Sequence, residues 1–308
     1  MSKYIIVIVL CLFSVTSSFA GSTTVSIEND VFAGTDRNYT HGTRIMSVGG
    51  TNALWGQFLE DNINYFKGKY NYIGFVLAQY IYTPKDKSKK EYIPTDRPYA
   101  GWLYSGFQFY SVKDNSMDFF ELDVGVVGPA SLAKQTQNEF HRFTHNKVFQ
   151  GWDNQIHNEL GIDLIYQNKI KEVLGPLECI AHYGESLGNV HTYLDAGGLF
   201  RLGYNIPDDF GSLMMEPTVR VIRPEDFSLY VFIDNDFKYV LRNMMLDGNT
   251  FQDSPSIDKR PFVFEFNLGV CTAFKDFSVM YSYTIRTREF YGQEDYERFG
   301  TISVTYSY

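Results

Sequence analysis

Cysteine is scarce in this 308-residue chain: three are present, at positions 11, 179 and 271. A disulfide scaffold is therefore excluded. Because Cys11 falls in a leader-like segment, at most one bridge, between Cys179 and Cys271, is open to the remainder. Any apolar run long enough to cross a bilayer as a helix, which takes about 20 residues, is also missing; the run Tyr4–Phe13 is too short. An excess of positive charge is absent too. At a formal net charge of −9, the surface as a whole does not draw a phosphate backbone, which argues against nucleic acid as a partner. No nucleophile elbow of the Gly-x-Ser-x-Gly type is read from the chain, and His-Glu-x-x-His and the P-loop are not found. These gaps weaken a serine mechanism without removing it.

What is present is aromatic and glycine-rich: 23 Tyr, 26 Phe and 25 Gly, with a mean hydropathy of −0.22. That balance suits strands with one apolar and one polar face. The first twenty residues run from a basic start (Lys3) through the apolar Tyr4–Phe13 to small residues ending at Ala20. This is the layout of a secretory signal peptide, with cleavage expected after Ala20. The rest, residues 21–308, reads as one domain, since no low-complexity linker interrupts it.

Strands are expected near 23–32, 40–50, 70–83, 99–112, 117–128, 159–169, 176–186, 191–204, 226–240, 261–274, 276–287 and 298–308. A weaker candidate at 212–223 is set aside as a turn or extension, because bacterial single-chain barrels have even strand numbers. Alternation is clearest at the end, where Ile302, Val304, Tyr306 and Tyr308 point one way and Ser303, Thr305 and Ser307 the other. A two-sheet sandwich and a membrane barrel both accommodate that pattern. The signal peptide, the terminal aromatic and segments of about 10 residues favour a transmembrane antiparallel β-barrel of about twelve strands. Only Pro129 to Gln155 breaks the β pattern; it reads as a short helix in an extracellular loop, with Pro129 and Ser131 at its start and Gly151 at its stop.

Several groups there and nearby could carry chemistry. His141 and His145 lie four apart on one helical face, but no carboxylate motif supports a two-histidine metal site, and His141 stands as a lone general-base candidate. Asn29 and Asp30 offer hard oxygens of the kind Ca²⁺ accepts, and equally read as an Asx pair capping a turn. Thr35, Asp36 and Asn38 read as turn residues. Lys85, Lys87, Lys89 and Lys90 form a basic loop in an acidic protein, either a solvated tip or a rim that pairs with lipid phosphates.

Four ordered blocks together are similar to the lipid A 3′-O-deacylase (LpxR) family. They are Glu-Asn-Asp-Val-Phe at 28–32 with Thr-Asp-Arg-Asn-Tyr-Thr-His-Gly at 35–42, Thr-Asp-Arg-Pro-Tyr-Ala-Gly-Trp-Leu at 95–103, Gln-Asn-Glu-Phe-His at 137–141, and Gln-Gly-Trp-Asp-Asn-Gln at 150–155. The resemblance implies a twelve-stranded outer-membrane barrel with its site between the barrel wall and a loop helix. It also implies Ca²⁺-dependent hydrolysis of the 3′-linked acyl ester of lipid A, the lipid anchor of lipopolysaccharide. By a scheme like that of secreted phospholipases A2, His141 would activate water and calcium would stabilise the oxyanion. Carried over by position, Asp30 would ligate calcium, Asn29 and Thr40 would support the site, and Lys89 and Lys90 would lie near the substrate. Rival readings are a phospholipase of broader ester preference and a non-enzymatic channel or adhesin.

Overall fold

A computed structural model describes residues 21–33, 38–50, 68, 70–86, 88–143, 148–211 and 227–308. The signal-peptide segment, the candidate strand at 212–223, Thr35, Asp36, Lys87 and His145 lie outside the described residues.

Twelve strands close on themselves: β1 (Gly21–Asn29), β2 (Asn38–Gly50), β3 (Tyr70–Thr83), β4 (Ala100–Val112), β5 (Ser116–Val127), β6 (Glu159–Leu174), β7 (Leu177–Gly188), β8 (His191–Tyr204), β9 (Ser228–Asn243), β10 (Phe262–Phe274), β11 (Phe277–Arg286) and β12 (Glu297–Ser307). Every neighbour in the chain is an antiparallel neighbour in the sheet, and β1 pairs with β12, with Val25 opposite Val304 and Ile27 opposite Ile302. Closure removes the unpaired edges that a bilayer could not hydrogen-bond. No helix among the described residues is long and apolar enough to cross a membrane.

The alternation at the chain end holds in the structure: Ile302, Val304 and Tyr306 face outward, while Ser303, Thr305 and Ser307 are buried. The choice between sandwich and barrel is settled by what lies inside. Leu160, Leu164, Leu194, Leu202, Phe264 and Leu268 are exposed on the outer wall, whereas Arg44, Lys169, Arg201, Glu121 and Glu178 are buried in the lumen. A water-soluble domain puts these classes the other way round.

Charges in the lumen are held in pairs, as burial requires. One Arg44 guanidinium nitrogen donates to both carboxylate oxygens of Glu121 at 2.8 Å, and Arg201 is clasped between Glu178 and Asp209. Hydroxyl ladders tie the closing strands, with Thr24 Oγ1 to Thr305 Oγ1 at 2.9 Å and Ser26 Oγ to Ser303 Oγ at 2.8 Å. Replacing Glu121 by Leu strands the Arg44 charge, and the expected loss is about 3–5 kcal/mol, read as a lower thermal midpoint of the detergent-folded barrel.

Three local expectations are corrected. The first strand stops at Asn29 instead of running to 32, because Asp30–Ala33 turn into a 3-10 helix. Pro129 and Ser131 do not open the loop helix. They sit in a separate 3-10 turn, Gly128–Ser131, divided from α1 (Ala133–Phe143) by Leu132 at φ 61°. Nor does Gly151 stop α1; it precedes the short 3-10 turn Trp152–Asn154. Cys179 on β7 and Cys271 on β10 are not joined in a disulfide.

Candidate active site between the barrel wall and α1

Asn29 and Ile27 share the outer face of β1, where Ile27 is exposed but Asn29 is buried. The cover is α1, which lies on the outside of the wall at the long-loop end. Its seat is prepared by sequence: Gly101 on β4 faces it, and a Cβ there would come within 2.3 Å of the Ala133 Cβ and 2.2 Å of the Ser131 Oγ. Gln79 Nε2 donates to the Ser131 carbonyl at 2.6 Å. Beneath the helix, Ile81, Tyr99, Ala133, Phe149 and Trp152 form one apolar cluster. Trp152 Nε1 donates to Gln137 Oε1 at 2.8 Å, which orients the helix one turn before His141. A Gly101→Val variant should lift α1 from the wall, leaving a folded barrel by gel mobility with activity reduced at least about tenfold, a penalty of the kind a misplaced catalytic group produces.

The four sequence blocks are the walls of this arrangement. From the 95–103 block, Arg97 is fully buried, stacks its guanidinium 4.5 Å over the Tyr82 ring and donates to Glu289 at 3.2 Å. Burial alone would raise the Glu289 carboxyl, but Arg286 and Arg97 outweigh it and hold it below the usual value. Tyr99 packs on Trp152 with ring centroids 4.9 Å apart, and burial pushes its phenol up to about 12, so it stays neutral. From the 150–155 block, the chain re-enters the barrel beside Tyr99, whose carbonyl accepts from Ile156 N at 3.0 Å.

Between wall and helix lies a cavity of about 70 Å³ lined by Asn29, Asp30, Val31, Thr40, His41, Ile81, Thr136, Gln137, Phe140 and His141. The structure thus brings Asn29, Asp30, Thr40 and His141 together from three separate segments. Asp30 is 1% exposed and His141 4%. Thr40 reaches the cavity through a β-bulge: Tyr39 pairs with Tyr82 and His41 with Ile81, leaving Thr40 unmatched. The extra residue changes the alternation. Tyr39 turns into the lumen, where its hydroxyl donates to Glu28 at 2.5 Å, while Thr40 and His41 both face the cavity. Thr40 Oγ1 lies 2.7 Å from Thr83 Oγ1.

His41, to which the sequence reading gives no role, is a second imidazole in the cavity. Direct pairing of Asn29 with His41 in the first hairpin is the signal that could have found it. Asn29 Nδ2 lies 3.4 Å from His41 Nδ1, and His41 Nε2 2.7 Å from Thr43 Oγ1. With Nδ1 accepting and Nε2 donating, both ring nitrogens of His41 are engaged within the first hairpin. Gln137, also unassigned from sequence, keeps its Nε2 buried without a hydrogen-bond partner among the described residues, a donor available to a molecule entering the cavity.

Lys89 and Lys90 are not brought into the cavity lining. They are exposed on a loop whose backbone braces the 150–155 segment, with the Lys90 carbonyl accepting from Asn154 Nδ2 at 2.6 Å. Lys85 pairs with Glu294 across two rim loops. The run Gly184-Glu185-Ser186-Leu187-Gly188 does carry the Gly-x-Ser-x-Gly spacing, which the sequence reading passes over. It lies within regular β7, and Ser186 Oγ donates to the His191 carbonyl at 3.2 Å, so it is not the strand-to-helix turn that an elbow needs.

A buried luminal trio, His182, Asp195 and Asp236, is the one group of three metal-competent side chains among the described residues. It is separate from the cavity beneath α1. At that cavity the oxygens present are the Asp30 carboxylate, the Asn29 amide oxygen, which also accepts from Val31 N at 2.9 Å in an Asx turn, and the Thr40 hydroxyl, an all-oxygen set of the kind that fits Ca²⁺. With a single carboxylate among the described lining residues, neutral oxygens and water would complete the shell.

Fold and site together define a membrane-spanning β-barrel with a small polar cavity on its outer wall. The profile of the family described as outer membrane protein LpxR matches residues 5–308. The chain belongs to that family and is an outer-membrane protein. Among solved structures it is similar to LpxR from Salmonella typhimurium, at 21% identity and a TM-score of 0.74, covering 93% of this chain and 100% of that one; the likeness establishes the shared fold. The β domain of the Bordetella autotransporter BrkA is similar at 11% identity and a TM-score of 0.45, over 94% and 99% of the two chains. A search of curated proteins finds no match.

Proposed function

We propose that the chain is a Ca²⁺-dependent lipid A 3′-O-deacylase of the outer membrane, exported by residues 1–20. The observation that carries the reading is the convergence of Asn29, Asp30, Thr40 and His141 on one buried cavity at the lipid-facing side of the wall. Exposed Val31 and Phe140 line it, with exposed Phe32 and Leu132 on the same two segments, and would give an acyl chain an apolar approach that a luminal site would lack.

In this reading His141, as neutral imidazole, accepts a proton while the oxygen of a cavity water bonds to the acyl carbonyl carbon. The tetrahedral intermediate then collapses, the bond from carbon to the sugar oxygen breaks, and the imidazolium returns its proton to that oxygen. Products are a free fatty acid and a sugar hydroxyl. Asp30 would hold calcium, with Asn29 and Thr40 beside it; bound calcium supplies positive charge to the carbonyl oxygen as it becomes an oxyanion. Asn29 also fixes His41, so its side chain serves to position the neighbouring imidazole. Lys89 and Lys90, on the exposed loop beside the 150–155 segment, would meet the phosphates of lipid A.

Mass spectrometry of lipid A from membranes expressing the protein tests this reading. Loss of the 3′ acyl chain, abolished by a calcium chelator, is the expected result. Phospholipid deacylation in its place would favour the broader esterase, and no acyl release from a folded barrel would overturn the enzymatic reading.

A further inference from the structure

We infer that the barrel lumen holds a second metal site, for a divalent transition ion of the zinc class, built from His182, Asp195 and Asp236. The β register assembles it. In one row across three strands stand His182, Gly197 and Asp236; in the next row on the same face stand Gly184, Asp195 and Lys238. Each row carries a glycine, and both glycines are needed. A Cβ at Gly197 would meet His182 Nε2 at 2.9 Å, and a Cβ at Gly184 would meet Asp195 Oδ1 at 2.8 Å. The imidazole and the carboxylate therefore lie down over bare backbone and converge.

His182 Nε2 stands at hydrogen-bond distance from Asp236 Oδ1, and one ligand atom from each of the three side chains lies within 4.8 Å of the others, near enough to share an ion. His182 Nε2 is 3.6 Å from Asp195 Oδ2 and 3.3 Å from Asp236 Oδ1. The first is too long for a hydrogen bond. Zinc bonds of 2.0–2.2 Å in a tetrahedron place neighbouring ligand atoms about 3.3–3.6 Å apart, the spacing of His182 Nε2 from both carboxylate oxygens. One nitrogen and two carboxylates suit zinc, whereas Ca²⁺ takes six to eight oxygens. The opposite carboxylate oxygen of Asp236 is held by Lys238 Nζ at 3.1 Å, and Gln167 Nε2 lies 3.5 Å from Asp195 Oδ2, the outer contacts that orient metal ligands. Three side chains leave a fourth position for water from the lumen. A metal there ties β7, β8 and β9 together, away from the cavity under α1.

The test uses the full barrel folded in detergent, stripped with chelator, desalted and titrated with Co²⁺ alone and then Zn²⁺. One Co²⁺ per chain with tetrahedral visible absorption, displaced by Zn²⁺, is expected. His182→Ala and the near-isosteric Asp236→Asn should each weaken binding at least about tenfold. Wild-type binding no tighter than that of either folded variant overturns the site. If the variants do not fold, zinc anomalous scattering from wild-type crystals decides: a peak among His182 Nε2, Asp195 Oδ2 and Asp236 Oδ1 supports it, and none there overturns it.

Discussion

His141→Ala should leave a correctly folded outer-membrane barrel that releases fatty acid from lipid A about 10²–10⁴-fold more slowly, the usual worth of a positioned general base. That is about 2.7–5.4 kcal/mol of transition-state stabilisation. The side chain is buried between Phe149, 5.3 Å away ring to ring, and the cavity, so its removal opens space without touching any strand pairing. Gel mobility before and after heating would confirm folding, and lipid A mass spectra over a time course would give the rate. His141→Gln, which keeps the bulk but cannot take the proton, should be equally impaired. Undiminished release by either folded variant would move the base elsewhere, and His41, the other imidazole lining the cavity, would be the next residue to replace.

Asp30→Asn should raise the calcium concentration needed for half-maximal activity by about 100-fold or more, because ligand charge sets calcium affinity over several decades. Asp30 is the only carboxylate lining the cavity among the described residues, and Asn keeps its shape while deleting its charge. Excess calcium should therefore recover part of the activity of Asp30→Asn but none of that of Asp30→Ala, which also removes the oxygen. The measurement is initial rate against free Ca²⁺ in a buffered chelator series. A wild-type calcium curve in both variants would place the metal on other ligands and reduce Asp30 to a turn-capping residue. Thr40→Val gives a gentler comparison, since it deletes one neutral oxygen and its contact with Thr83 while preserving volume.

Much of the fold was legible because a lipid-facing barrel imposes a period of two on every strand. All twelve expected strands are present, most with ends moved by no more than two or three residues. The largest shift is at β6, expected to end at 169 but running to Leu174, and two other departures have local causes. Asp30 left the strand for a 3-10 turn, and Leu132 broke the run that seemed to begin a helix at Pro129. The four short blocks pointed to Asn29, Asp30, Thr40 and His141, yet their shared purpose was not visible in any one of them. Arg97, Tyr99, Gly101 and Trp152 prove to be the seat and brace of α1.

By itself the sequence determined the class of architecture and the residues to watch, since alternation, composition and block order are properties of one dimension. Tertiary structure decided which of those residues meet. Only strand register puts Asn29 against His41, and only the bulge after Tyr39 turns Thr40 outward against the alternation that the sequence predicts. The same is true of His182, Asp195 and Asp236, whose neighbourhood rests on the offset of three strands and on two glycines that let side chains lie flat. Such contacts depend on pairing between distant segments, and a one-residue slip in register would send each of these side chains to the opposite face.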